Sequence, residues 1–152
     1  MKHIFLVRYN EIHLKGLNRP FFERRLMENI KAALADLTPR VAIRQGRLFV
    51  EAAQHAREEA LVRLARVFGI HSVSPALEVD KQWNAIAEGA VGLVEEALEE
   101  AGGQAVTFKV EARRSDKLFP MDSSEINREL GALLLQKFPG LTVDVHHPAL
   151  RV

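Results

Sequence analysis

Apolar and polar residues follow two different periods along the first half of the chain. Apolar residues at every second position, or in a short continuous run, predict strands, whereas apolar residues three and four apart predict amphipathic helices. In chain order the pattern predicts a strand at 3–8, a helix from Arg19-Pro20 to Leu37, a hairpin of 40–44 and 47–53 around Gln45-Gly46, a helix at 56–68 and a strand at 72–79. The order β-α-β-β-α-β is that of a ferredoxin-like fold, which we expect at residues 1–79.

The second predicted helix also has a predicted inward face. Its spacing places Leu61, Leu64, Ala65 and Phe68 toward the core, and Gly69 stands where a left-handed residue commonly ends a helix.

The pattern of apolar and polar positions in residues 80–152 predicts a second unit of the α/β type. The pattern indicates a helix from Trp83 to Leu98, a strand at 106–113, a helix after Asp122, a strand at 141–145 and the start of another strand at 150–152. A sheet of so few strands buries little apolar surface on its own and has little independent stability. We therefore expect this domain to be incomplete at its C-terminus and the chain to be part of something longer. The whole fold is predicted to be α+β.

The segment 106–131 is the most informative part of the chain. One strand face carries Lys109 and Arg113, and the following loop adds Arg114, Lys117 and Phe119. Asp122 and Glu125 form a helix-start signature, and a helix N-terminus next to a cationic loop suits a phosphate. Cations beside an exposed aromatic ring are typical of sites for single-stranded or terminal RNA. The alternative, a core position for Phe119 with solvated charges, has equal weight on these residues alone.

Composition narrows the class of protein. The 152 residues are 47% hydrophobic with a net charge of +1 and contain no Cys, which excludes disulfides, thiolate metal sites and Cys nucleophiles on this chain. No apolar run approaches the roughly 18 residues of a membrane span. We expect a cytoplasmic protein with no membrane association. The common nucleophile, phosphate-loop and zinc motifs do not occur, so we predict no catalytic residue, metal or cofactor on this chain.

Two long motifs resemble one known family. The run from Arg8 to Glu23, Arg-Tyr-Asn-Glu-Ile-His-Leu-Lys-Gly-Leu-Asn-Arg-Pro-Phe-Phe-Glu, resembles the N-terminal motif of the tRNA 4-thiouridine synthases, or ThiI proteins. Residues 108–131 resemble the THUMP domain of that family, with Arg-x-x-Lys-x-Phe-Pro-Met followed by Ser-x-Glu-Ile-Asn-Arg-Glu-Leu-Gly. Asn10 stands where the family usually has Gly, and Asn tolerates the left-handed conformation better than most other residues.

The resemblance implies a ferredoxin-like domain at 1–79 and a THUMP RNA-binding domain at 80–152, which together hold the acceptor stem and 3′ end of tRNA. It implies RNA contacts at the following residues: Lys15, Asn18, Arg19, Lys109, Arg113, Arg114, Lys117, Phe119, Asn127 and Arg128. In the family, a further domain with a Ser-Gly-Gly-x-Asp-Ser loop uses ATP and Mg to adenylate a uridine for sulfur transfer. That loop does not occur here, so we expect the catalytic ATP-binding domain to be absent from this chain.

The resemblance also implies a cysteine desulfurase as sulfur donor and a role in sulfur supply for thiamine synthesis. A homodimer is one alternative for the oligomeric state. Two other functions are alternatives: the RNA-binding front end of a THUMP methyltransferase or deaminase, and a ferredoxin-like dimerisation module without an RNA role. The motif at 8–23 argues against the first of these, because those families usually lack that front domain.

Overall fold

The computed structural model describes residues 2–9, 18–44 and 47–152. The chain divides into two compact units, Met1–Glu78 and Val79–Val152. Each unit has its own sheet and its own hydrophobic core.

A four-stranded antiparallel sheet forms the first unit. Its strands are β1 (Lys2–Tyr9), β2 (Arg40–Arg44), β3 (Arg47–Glu51) and β4 (Ile70–Glu78), in the spatial order β2-β3-β1-β4. Helix α1 (Asn18–Ala33) follows β1, and helix α2 (Arg57–Ala65) follows β3. This is the predicted ferredoxin-like order of elements. The predicted hairpin turn at Gln45-Gly46 lies outside the described residues, although Arg44 and Arg47 on either side of it are paired.

One face of this sheet packs against both helices. Alternate residues of the central strands point to that face, and Val7, Leu48 and Val50 are almost fully buried there. From the helices, Ile30 and Leu64 reach the same core with no exposed surface. The two-residue period of β1 and β3 therefore places their intervening residues on the opposite face, which no described helix of this unit covers.

The second helix is shorter than its hydrophobic pattern predicts. It ends at Ala65, and a turn of 66–69 leads into β4. The predicted inward position of Phe68 is wrong, since its side chain is 92% exposed, and Ala65 is exposed too. Val67 packs against the core in their place, because the chain leaves the helical path before Phe68. Gly69 has the predicted left-handed conformation, with φ +94°.

The second unit combines a small parallel sheet with two helices. Strands β5 (Val106–Lys109), β6 (Leu141–Val143) and β7 (Leu150–Arg151) lie in the order β6-β5-β7, and both neighbours run parallel to β5. Helices α3 (Trp83–Glu100) and α4 (Ser123–Lys137) supply Val94 and Leu134 to a core centred on Phe108. The sheet ladder ends four residues earlier than the predicted strand at 106–113, and this places 110–113 next to the start of α4.

No helix among the described residues is both long and apolar enough to cross a membrane.

Candidate functional site

The strand β5 leads directly into the segment that carries the predicted cations. Beyond the ladder, the Glu111 N–H donates to the carbonyl oxygen of Val152 at 3.0 Å. Two side chains of α4 accept the next backbone N–H bonds. Asn127 Oδ1 accepts from the Ala112 N–H at 2.7 Å, and Ser123 Oγ accepts from the Arg114 N–H at 3.1 Å. The backbone entering the loop is therefore attached to the first turns of the helix that leaves it.

The loop of residues 113–120, here called the cationic loop, has an internal framework. Asp116 accepts from two following N–H groups, from Leu118 through its carboxylate at 2.9 Å and from Phe119 through its carbonyl at 3.1 Å. The ammonium of Lys81 pairs with the same carboxylate and, with the Leu118 N–H, holds the pKa of Asp116 below its usual range. Arg114 Nη1 closes the loop by donating to the Phe119 carbonyl at 3.2 Å.

Phe119 anchors this loop in the protein interior. Its side chain is 8% exposed, so the expectation of an exposed ring that stacks on a base is wrong. The physical reason is the hydrophobic effect: of two adjacent apolar residues, the larger aromatic ring is buried and its neighbour faces solvent. Leu118 is 92% exposed.

The predicted cations fall into two groups. Arg113 and Lys117 are exposed, and neither takes part in an ion pair with any described carboxylate. Three others have partners: Arg114 donates to backbone, Lys109 lies 3.9 Å from Glu111, and Arg128 lies 3.7 Å from Glu129. Arg113 and Lys117 are therefore the cations best placed to meet a ligand.

The start of α4 is occupied by its own cap. Asp122 Oδ1 accepts from the Glu125 N–H at 2.8 Å, which confirms the predicted capping position. That N–H bond is the main cause of the lowered pKa of Asp122. A carboxylate at this helix end competes with a phosphate for the same dipole, so the expectation that free N–H groups bind an anion here is weakened. Asn127 likewise uses its side-chain oxygen within the fold.

In the first unit, the predicted residues lie at the start of α1. Arg19 Nε donates to Glu23 Oε1 at 2.8 Å, and the Tyr9 hydroxyl donates to the same oxygen at 2.8 Å. The bond from Arg19 is the main reason that the pKa of Glu23 lies below its ordinary value. Asn18 is exposed at the first position of the helix. Lys15 lies outside the described residues, so the structure does not address the prediction for it.

Leu118, Lys81 and Ser123 are the residues of this region that the sequence reasoning missed. A hydroxyl residue directly after a capping Asp was a usable signal for Ser123. Nothing local to Lys81 predicts its contact with Asp116, because 35 residues separate the two. For Leu118, the pattern offered two adjacent apolar residues and no means of deciding which one is buried.

Comparison with known families gives two matches that divide the chain where the fold does. Residues 4–74 match the ThiI ferredoxin-like domain, and residues 80–152 match the THUMP domain. The chain therefore belongs to the family of proteins in which a ThiI ferredoxin-like domain precedes a THUMP domain.

Individual relatives define the family more closely. The chain is 46% identical over 151 residues to a probable tRNA sulfurtransferase of Acetivibrio thermocellus and 48% identical over 145 residues to one of Moorella thermoacetica. These alignments cover 97% and 94% of this chain but 38% and 35% of the relatives. The chain thus corresponds to the N-terminal part of the tRNA sulfurtransferases of the ThiI family and spans less than two fifths of their length.

Solved structures agree with this assignment. A 4-thiouridine synthetase, crystallised as an RNA complex with bound ATP, superposes with a TM-score of 0.84 at 32% identity, covering 99% of this chain and 37% of that protein. PH1313 from Pyrococcus horikoshii Ot3 has the same TM-score at 35% identity, with coverage of 98% and 49%.

Proposed function

We propose that this chain is the tRNA-binding portion of a tRNA sulfurtransferase that makes 4-thiouridine, and that the cationic loop holds the 3′ end of the acceptor stem. One observation carries the proposal: a hydrogen-bonded loop of a THUMP domain exposes Leu118 together with Arg113 and Lys117, two cations that form no ion pair with a described carboxylate. Cations bind phosphates without regard to sequence, and an apolar side chain can pack on an unpaired terminal base.

The rigidity of the loop supports this proposal. Asp116, Arg114 and the buried Phe119 fix the loop from both ends before any ligand arrives. A binding site that is already ordered loses less conformational entropy on association. Leu118 therefore stays exposed because the loop is held in that shape by contacts on either side.

The experiment is a binding titration with an acceptor-stem minihelix that carries a single-stranded 3′ end. We expect Arg113→Ala and Lys117→Ala each to weaken binding and to lower the slope of log K against log salt by about 1, because each removes one phosphate contact. Lys137→Ala is the matched control, since Lys137 is an exposed cation at the far end of α4. Equal loss of affinity in all three variants would indicate only a general charge effect.

A blunt-ended duplex of the same stem tests recognition of the end itself. The proposal predicts weaker binding to the blunt duplex than to the minihelix with the 3′ overhang. Equal affinity for the two RNAs would refute the assignment of the loop to the RNA end, while binding to the stem would stand.

The remaining steps of the reaction belong to the whole protein, of which this chain is a part. We assign ATP and Mg to a catalytic domain outside these 152 residues, sulfur donation to a cysteine desulfurase, and a cytoplasmic location to the complex with tRNA. Sulfur supply for thiamine synthesis and homodimerisation are further parts of this proposal. The match of residues 4–74 to a ThiI-type domain favours the sulfurtransferase over other THUMP enzymes. An assay for 4-thiouridine in tRNA, with the whole protein and its desulfurase, with and without ATP and Mg, tests the assigned sulfur transfer; size-exclusion chromatography of the same protein tests homodimerisation.

A further inference from the structure

The helix-free face of the first sheet carries a row of arginines that the cationic loop does not involve. The strand register pairs Arg44 of β2 with Arg47 of β3, and the β1–β3 register, which pairs Val7 with Leu48, places Arg8 beside Arg47 one residue further. All three are exposed and alternate with residues whose side chains enter the helix-side core. We call Arg8, Arg47 and Arg44 the arginine row.

The row is unusual because its members lie across three adjacent strands. Residues directly opposite each other in a sheet have Cβ atoms about 5 Å apart, and like charges in such positions are destabilising. No described carboxylate forms an ion pair with any of the three. Within the described part of the chain, the side-chain partner of the row is a neutral group: Arg8 Nη1 donates to Ser74 Oγ at 2.7 Å.

The opposite end of the same face shows how this sheet compensates charge elsewhere. There Lys2 Nζ lies 2.7 Å from Glu51 Oε1, Lys2 is paired in register with Glu78, and Arg40 is paired in register with Glu51. Cations at that end thus have carboxylates as neighbours. The arginine row has no such neighbours among the described residues, although it is built on the same strands.

The middle of the face is apolar. Two residues further along each strand, on the same face, Leu6 of β1 is paired with Phe49 of β3, and Phe49 is paired with Ala42 of β2. Phe49 and Leu6 are partly exposed. A strip of apolar side chains, with one aromatic ring, therefore borders the arginine row. Cations along a groove beside apolar surface are the combination that binds a nucleic-acid backbone and packs against its bases.

We infer that the arginine row is a second RNA contact, binding the sugar-phosphate backbone on the helix-free face of the ferredoxin-like domain. This inference rests on the proposed function, since it takes the polyanion to be the same RNA that the cationic loop binds. An anion that supplies the missing negative charge would relieve the repulsion among the three guanidinium groups. The guanidinium group suits this role because its planar donors match phosphate oxygens.

The test compares two double variants that remove the same charge. Arg44→Gln with Arg47→Gln removes two members of the row, and Arg40→Gln with Lys31→Gln removes two exposed cations elsewhere in the same unit. The probe is the acceptor minihelix, titrated at several salt concentrations, and Lys117→Ala is measured in parallel. Urea unfolding followed by circular dichroism reports the stability of each variant.

We expect the row variant to bind more weakly than the control variant, by about five- to eightfold at 0.1 M salt for each phosphate that the variant no longer neutralises, because log K falls by about 0.7 to 0.9 times log salt per neutralised phosphate. We also expect its urea midpoint to equal or exceed that of the unsubstituted chain, since like charges have been removed. A row that served only the fold would lower the midpoint, and that result would overturn the inference.

Two further outcomes separate this inference from the proposed function. If Lys117→Ala weakens binding while the row variant matches its control, the inference fails and the proposed function stands. If the unsubstituted chain does not bind the minihelix even at low salt, both fail.

Discussion

Asn127 gives the most direct test of how the cationic loop is supported. Its Oδ1 accepts from the Ala112 N–H at 2.7 Å, and this contact joins α4 to the extended segment beyond β5. Replacing Asn127 by Ala removes the acceptor and leaves the N–H of Ala112 without it. The substitution therefore separates a structural role of Asn127 from the direct RNA contact implied by the family resemblance.

The magnitude follows from two opposing terms. An unsatisfied, partly buried N–H costs about 1–3 kcal/mol. Against this, Ala is a better helix former than Asn by up to about 0.7 kcal/mol. The net expected loss is about 0.3–2.3 kcal/mol when the full helix-propensity gain is subtracted. If the second unit unfolds independently, that loss lowers its melting temperature by several degrees, since a domain of 60–100 residues shifts by about 4–8 °C per kcal/mol.

Trp83 provides the assay. It is the single Trp of the chain and packs against the core of the second unit, so its fluorescence during urea unfolding reports on that unit. Gln136→Ala is the control, because Gln136 is exposed on the same helix. Asn127→Asp should recover much of the loss, since a carboxylate also accepts from the Ala112 N–H. An Asn127→Ala variant with the stability of the Gln136→Ala control would refute this reasoning.

Three further predictions concern other sites. Gly69→Ala should cost about 1–3 kcal/mol in urea unfolding, because φ is +94° and the new Cβ would lie 3.0 Å from Phe22 Cζ. Gly92→Ala, whose new Cβ would have no atom within 4 Å, should instead leave the stability unchanged or raise it. If the two variants lost the same stability, the strain argument would be contradicted. Glu23 has a folded-state pKa below its ordinary 4.5, so its stabilising contribution is present above about pH 4.5 and is lost as pH falls. Glu23→Gln should therefore have a lower urea midpoint than the unsubstituted chain at pH 7, with the difference shrinking as the pH falls below about 4.5; a constant difference would be evidence against the pairing with Arg19. Leu118→Ala should change stability by less than about 0.5 kcal/mol, because the side chain is 92% exposed, yet weaken minihelix binding. Leu135→Ala, at 41% exposure on the same unit, is its control in the binding titration, and unchanged affinity for Leu118→Ala would exclude Leu118 from the RNA site.

The order of elements in the first unit could be predicted because each element has a strong local signal. Helix α1 has apolar residues at helical spacing along its length, and Ile30 is buried as that spacing indicates. The prediction for helix α2 failed at its end because Phe68 continues the helical period although the backbone has already turned. Apolar spacing indicates only where a side chain would point if the helix continued, and α2 ends at Ala65, three residues before Phe68.

The candidate site could be predicted only in outline. Asp122 and Glu125 fixed the start of α4, since capping is a local interaction. The partners of Lys81 and Asn127 could not be found in the same way, because their contacts join residues 35 and 15 positions apart. Contacts of that kind depend on the tertiary arrangement, which local sequence patterns such as capping and periodicity do not reveal.

Phe119 and Leu118 show how contacts within the cationic loop change its chemistry. A buried Phe119 has its carbonyl held by Arg114, and its N–H is held by Asp116. The aromatic ring that would have served as a stacking surface thus becomes part of the support, while Arg114 is engaged in holding it. Arg113, Lys117 and Leu118 remain exposed in the loop. If these two cations and one aliphatic group form the proposed RNA site, its affinity should depend strongly on salt and weakly on the identity of the terminal base.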